Sequence, residues 1–155
     1  DNYEIYQTLI YNKTALLFLM LQEMLGKEDL FRRFRSTIDS SRFHNLTTQE
    51  FVQKFTEGDK RLTRFFEGWI YSREVPEVDV QLVLHGGKPS VKVTQKNGSL
   101  LFPLLLEITT DQGSFLKSVV VDGPLSIYPL EESSVRRVAV SPLTSAPILL
   151  PEEGK

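Results

Sequence analysis

The hydrophobic period of this chain changes once, and that change limits the fold more than any other feature. Through about residue 70 the apolar side chains recur at helical spacing with few breakers. From about Val78 they alternate with polar residues between Gly and Asn turns, as strands do. The chain therefore reads as α+β, a small helical stack followed by an antiparallel β-sandwich. The division falls at Pro76: a helical segment over 1–76, a sandwich over 77–150 and a tail over 151–155. With 155 residues, 41% of them hydrophobic and 25% charged, the chain is in the globular range and long enough for two small units.

A first helix is predicted from somewhere in residues 3–8 to Leu25, with Gly26 as its stop. Its stretch Ala15–Leu21 is apolar on nearly every side, which predicts burial all round and partners beyond this chain. A second helix spans Lys27 to about Ser40, with Glu28 and Asp29 complementing the dipole of its first turn. Leu30, Phe31, Phe34 and Ile38 form its expected inner stripe, and Arg32, Arg33 and Arg35 a solvated outer face. Thr47-Thr48-Gln49-Glu50 is a capping box, opening a short helix that buries Phe51, Val52 and Phe55. Gly58-Asp59 ends that helix and caps another carrying Leu62, Phe65, Phe66, Trp69 and Ile70. Trp69 is expected to plug the joint between the helical and β parts.

Beyond Pro76, Val78, Val80, Leu82 and Leu84 mark the inward face of a strand. His85-Gly86-Gly87 turns into Ser90–Gln95, and Asn97-Gly98 is a hairpin signal because both residues tolerate φ > 0. Further strands are expected at Phe102–Thr109, Phe115–Val121, Leu125–Pro129 and Val135–Val140. Pro103 requires a sheet edge or a bulge. From Ser141, three prolines and a charged end predict a loosely held segment.

Composition narrows the function classes. A formal net charge of −2 provides no electrostatic footprint for nucleic acid. The longest apolar run is far short of the roughly 20 residues of a membrane span, so no membrane segment is expected. No cysteine is present, which excludes disulfides, thiolate metal sites and cysteine nucleophiles but leaves the compartment undetermined. His44 and His85 lie in separate turns without clustered carboxylates, so no metal site and no cofactor site is expected in this chain. Asn12-Lys13-Thr14, Asn45-Leu46-Thr47 and Asn97-Gly98-Ser99 fit the glycosylation sequon, a triplet that often arises by chance.

Four segments in order carry a family resemblance. Tyr11-Asn12-Lys13-Thr14-Ala15, with the apolar helix and Leu25-Gly26 stop behind it, resembles the Tyr-x-Lys-Gly-Ala motif of the gluzincin zinc aminopeptidases, the aminopeptidase N and leukotriene hydrolase type. Asn45-Leu46-Thr47-Thr48-Gln49-Glu50-Phe51 is similar to the family's threonine-capped helix. Phe65-Phe66-Glu67-Gly68-Trp69-Ile70 and Val75-Pro76-Glu77-Val78 are similar to the end of its peptidase domain. The resemblance covers about residues 5–80; the sandwich is similar to the family's small β domain in topology only.

The resemblance implies a fragment of a metallopeptidase that removes N-terminal residues from peptides. In that family the zinc sits on an H-E-x-x-H motif and a later glutamate. No H-E-x-x-H occurs here, so zinc is expected in the parent, held by the upstream part of the same polypeptide, and this chain alone is expected to be inactive. A start at Asp1 without an initiator Met carries the same expectation of a longer parent. By position in the motif Tyr11 is the catalytic tyrosine, donating a hydrogen bond to the oxyanion that forms from the peptide substrate; its plain alternative is a helix aromatic whose hydroxyl meets solvent or a backbone carbonyl. Lys13 matches the motif in a positioning role. Tyr6 is expected to pack in the core or at its rim. Thr14 replaces the motif's glycine and puts a β-branched side chain where close packing is expected. The competing function is a non-catalytic, aminopeptidase-like binding or scaffold module. A free-standing carbohydrate-binding sandwich ranks third, because the β half lacks a cluster of exposed aromatics. The apolar first helix also predicts exposed hydrophobic surface and self-association of the fragment into a homo-oligomer.

Overall fold

A computed structural model describes residues 11–72 and 75–151. The chain divides into two compact units, Asp1–Ser72 and Arg73–Lys155. The first is a stack of four helices: α1 (Lys13–Leu25), α2 (Lys27–Asp39), α3 (Thr48–Thr56) and α4 (Lys60–Tyr71). The second holds two antiparallel three-stranded sheets, built from β1 (Val78–His85), β2 (Lys88–Gln95), β3 (Leu101–Thr110), β4 (Gly113–Asp122), β5 (Leu125–Pro129) and β6 (Val135–Val140). The architecture is the expected α+β one. The predicted start of the first helix and Tyr6 lie outside the described residues.

Consecutive helices of the stack pack on each other, and each end is set locally. Gly26 takes φ 78° and donates its N–H to the Gln22 carbonyl at 2.9 Å, ending α1. Thr47 and Glu50 form the reciprocal capping box of α3. Its backbone and hydroxyl donors hold the Glu50 carboxyl below its ordinary range. Asp59 caps α4 through the N–H groups of Arg61 and Leu62. A relay of rings joins all four helices: Phe18 to Phe34 (4.9 Å between centroids), Phe34 to Phe55 (5.2 Å), and Phe55 to Phe66 (5.5 Å). Trp69 continues it beside Phe65.

Two helix faces differ from the pattern reading. On α1, Leu17, Met20 and Leu21 are buried, but Leu19 is half exposed, so the helix is not buried all round. On α2 the inner face carries Leu30, Phe34 and Thr37 together with Arg33, whereas Phe31 and Ile38 are 52% and 64% exposed. Arg33 is drawn inward by unpaired acceptors. Its Nη1 donates to the carbonyls of Phe55 and Thr56 at 3.2 and 3.1 Å, and its Nε to Asp29 at 2.9 Å. The last carbonyls of α3 lack helical partners, and a cation at that end also meets the negative pole of the helix.

In the β unit one sheet runs β1-β2-β5 and the other β4-β3-β6. β1 neighbours β6, and β5 neighbours β4, so the central strands β2 and β3 belong to opposite layers. Val91 and Val93 of β2, Leu104, Leu106 and Ile108 of β3, and Val121 of β4 are fully buried and form the core. Gly86 and Gly87 join β1 to β2 in a two-residue hairpin with φ 57° and 77°, values that a side chain would disfavour.

Asn97-Gly98 is a turn but not a hairpin, because β2 and β3 lie in different sheets. The connection is instead held by side chains. Asn97 Oδ1 accepts from the Glu77 N–H at 2.7 Å, and the buried Gln95 amide binds the Leu100 backbone and the Gly123 carbonyl. Leu84 at the far end of β1 is 80% exposed, so the inward face of that strand extends only over its first half. Pro103 sits in a central strand, but β6 pairs only with Leu106–Thr110, leaving Pro103 locally at an edge.

From Ser141 to Leu149 the segment is anchored rather than loose. Ser141 donates its N–H to the Leu105 carbonyl at 2.8 Å, Thr144 Oγ1 accepts from the Leu105 N–H, and Ala146 is buried. Leu149 forms a parallel bridge with Glu77, donating its N–H to the Pro76 carbonyl and accepting from the Val78 N–H. These bonds satisfy edge groups that would otherwise stay open.

Candidate functional site

Tyr11 lies two residues before Lys13, in the π-helical residues 11–12 that run into α1, and is 63% exposed. Asn12 is already in the helical region (φ −71°, ψ −45°) and supplies no side-chain cap. The residues from Tyr11 to Leu16 are exposed or half-buried; the first buried side chain of the helix is Leu17. Lys13 reaches across the stack, its Nζ donating to the carbonyls of Ile70 and Ser72 at 3.4 Å each. Those carbonyls stand at the C-terminal end of α4, where the helix has orphan acceptors and a negative pole.

A cleft of about 660 Å³ opens between α1, the start of α3 and α4. Leu17, Phe18, Phe51, Phe66 and Ile70 make it mostly apolar, with Lys13, Thr14 and Thr47 as polar lining. Thr14 faces this open space and is exposed, so its β-branched side chain meets no close packing at this point of the helical unit. The sequence pattern identified Tyr11 and Lys13 but not the cleft. Its lining comes from three helices, and only the stacking brings those residues together.

The two histidines lie in different units. His44 is exposed in the α2–α3 connection, and His85 is exposed at the β1–β2 hairpin of the other unit. Among the described residues no three His, Asp or Glu side chains gather where a metal ion would be held. The donor set among the described residues therefore does not fit a zinc ion. No helix among the described residues is long and apolar enough to cross a membrane.

No protein-family model and no curated protein sequence matches the chain significantly. Solved structures do. The crystal structure of Legionella pneumophila aminopeptidase A in complex with aspartic acid superposes with a TM-score of 0.77 over 98% of this chain, at 21% sequence identity. The chain has an aminopeptidase-like fold. It spans 19% of the length of that aminopeptidase chain. Identity at this level establishes the shared fold and leaves chemistry to the residues themselves.

Proposed function

We propose that this chain is a segment of a zinc aminopeptidase of the gluzincin type, in which it contributes one catalytic side chain and a β domain. The observation that carries the reading is the match of nearly the whole chain, helices and sheets together, to one fifth of a solved aminopeptidase. The order of the sequence motifs around Tyr11 supports it independently. Zinc would be held by residues of the intact polypeptide outside this chain. The isolated chain is accordingly inactive on this reading, and its substrate class in the intact protein is peptides with a free N-terminus.

The role proposed for Tyr11 is local. Its phenol donates a hydrogen bond to the oxygen of the scissile carbonyl as negative charge gathers there. A donor matched to the developing charge stabilises the transition state more than the bound peptide, so it raises kcat and leaves KM nearly unchanged. The 63% exposure of Tyr11 supports a role toward a substrate rather than in the core.

The test compares wild type with Tyr11→Phe in the intact polypeptide, on a panel of aminoacyl fluorogenic substrates. Phenylalanine keeps the ring and removes only the donor. The expected result is a fall in kcat of about 10²–10³-fold, the usual loss of one oxyanion donor. Equal activity in both proteins removes Tyr11 from the mechanism. A folded wild type with no activity at all transfers the reading to the scaffold module.

A further inference from the structure

We propose that two copies of this chain join through the open edge of β1, which pairs antiparallel with itself about Leu82 in a two-fold dimer. β1 ends its sheet: β2 binds one side, and its neighbour β6 belongs to the opposite sheet and does not pair with it. The Lys96 N–H donates to the Glu77 carbonyl at 2.9 Å, so Glu77 turns its backbone groups towards β2. By the alternation of an antiparallel ladder, Asp79, Gln81 and Val83 do the same, while Val78, Val80, Leu82 and Leu84 turn theirs away. Leu149 already accepts the Val78 N–H at 2.8 Å. Lengthening that parallel bridge needs an N–H donor at position 151, and Pro151 has none. Among the described residues, nothing pairs with the outward backbone groups of Val80, Leu82 and Leu84.

Proteins that keep such an edge to themselves blunt it with lysine, proline or a bulge. Val78–His85 has no lysine or proline, and its register with β2 is unbroken. Leu82 and Leu84 are 38% and 80% exposed, on the face that buries Val78.

Register and charge select a second β1 as the occupant. With Leu149 on Val78, an incoming strand has Val80, Leu82 and Leu84 to bind. β1 satisfies all three when Leu82 stands opposite Leu82 of the second copy and Val80 opposite Leu84. The same register sets Asp79 opposite His85 of the second copy, whose neighbour across the hairpin is Lys88. These are non-hydrogen-bonded positions, where opposed side chains come closest. The acidic start of each strand therefore meets the basic end of the other, and two-fold symmetry repeats the contact. Main-chain bonds supply the affinity, as in other strand additions at a sheet edge.

Sedimentation velocity and amide hydrogen exchange of the chain are measured over about 1 μM to 1 mM, the range suited to a small interface. The mass is expected to rise from 17.7 kDa to twice that. The amides of Val80, Leu82 and Leu84 are expected to slow about tenfold or more as it rises, while β2 protects those of Asp79, Gln81 and Val83 throughout. Leu82→Pro removes an outward N–H without breaking a bond to β2, and is expected to stay monomeric. Asp79→Lys sets like charges together twice and is expected to weaken association about tenfold. Adding His85→Asp to Asp79→Lys restores opposite charges and is expected to recover the dimer, a rescue that a folding defect would not show. Retained protection of Asp79, Gln81 and Val83 reports that β1 keeps its place in each variant. A chain that is monomeric at every concentration overturns the proposal. So does a dimer that tolerates Leu82→Pro or leaves the three outward amides fast, and a charge exchange without rescue overturns the register.

Discussion

Gln95 offers the sharpest energetic test of the β unit. The side chain is buried, and its amide satisfies three backbone groups at once. Nε2 donates to the Leu100 carbonyl at 2.8 Å and to the Gly123 carbonyl at 2.7 Å, while Oε1 accepts from the Leu100 N–H at 3.1 Å. One residue thus pins two of the three connections that pass between the sheets, β2 to β3 and β4 to β5. Each bond is worth about 1 kcal/mol net, and a partner left dry costs about 1–3 kcal/mol. Gln95→Leu fills the space but satisfies none of the three groups, so a loss of about 3 kcal/mol or more is expected. Gln95→Ala leaves room for water to reach them, and its loss should be smaller.

Gln95→Glu separates hydrogen bonding from packing. Its ionised carboxylate faces two carbonyl oxygens and has no proton to give either; the neutral acid donates to one of them. The folded state therefore binds the proton more tightly than the unfolded chain, whose Glu titrates near about 4.3. With the folded pKa raised, stability falls as pH rises through it and recovers as pH drops towards the unfolded value. Native-state hydrogen exchange of Val91, Val93, Leu104 and Leu106 reads the opening free energy of this unit directly. Losses below about 0.5 kcal/mol for both Leu and Ala, or a Glu variant whose deficit does not shrink on acidification, would refute the bookkeeping.

Two further predictions concern the helical unit. Asp29 is held below the usual carboxylate range by hydrogen bonds from Arg33 and Arg32. A depressed folded pKa stabilises above the unfolded value and loses that contribution as pH falls through the folded one, so the acid limb of an unfolding-versus-pH curve should flatten in Asp29→Asn. An unchanged acid limb would show that the Arg contacts do not couple to folding. Phe55→Ala removes a fully buried ring that touches Phe34, Phe51 and Phe66. A loss of about 3–5 kcal/mol is expected from denaturant titration followed by Trp69 fluorescence, and a loss below about 1.5 kcal/mol would mean the cluster closes over the gap.

Most of the secondary structure was legible because it is set by neighbours in sequence. Gly26 stops α1, the Thr47–Glu50 box starts α3, and Asp59 starts α4, each through bonds spanning four residues or fewer. β5 and β6 also fall where alternation placed them. Exposed and buried faces were harder to read. Phe31 and Ile38 fit an inner stripe by period, yet Arg33 takes the inner position because the C-terminal carbonyls of α3 demand a donor. That demand comes from a helix more than 20 residues later and leaves no local mark. The same holds for Asn97-Gly98, whose composition predicts a turn but not which sheet receives the next strand.

At the candidate site the division is similar. The sequence alone determined the α+β order of elements, the motif around Tyr11, and the lack of an H-E-x-x-H, since each is a property of residue type and spacing. The tertiary structure alone decided that Thr14 borders open space, that Lys13 binds the end of α4, and that residues of three helices line one cleft. The Lys13 contacts join positions 57 and 59 residues apart. Short-range propensities act over a turn or two of chain and carry no information at that separation; only the packing of the four helices around shared aromatic rings brings these groups within reach.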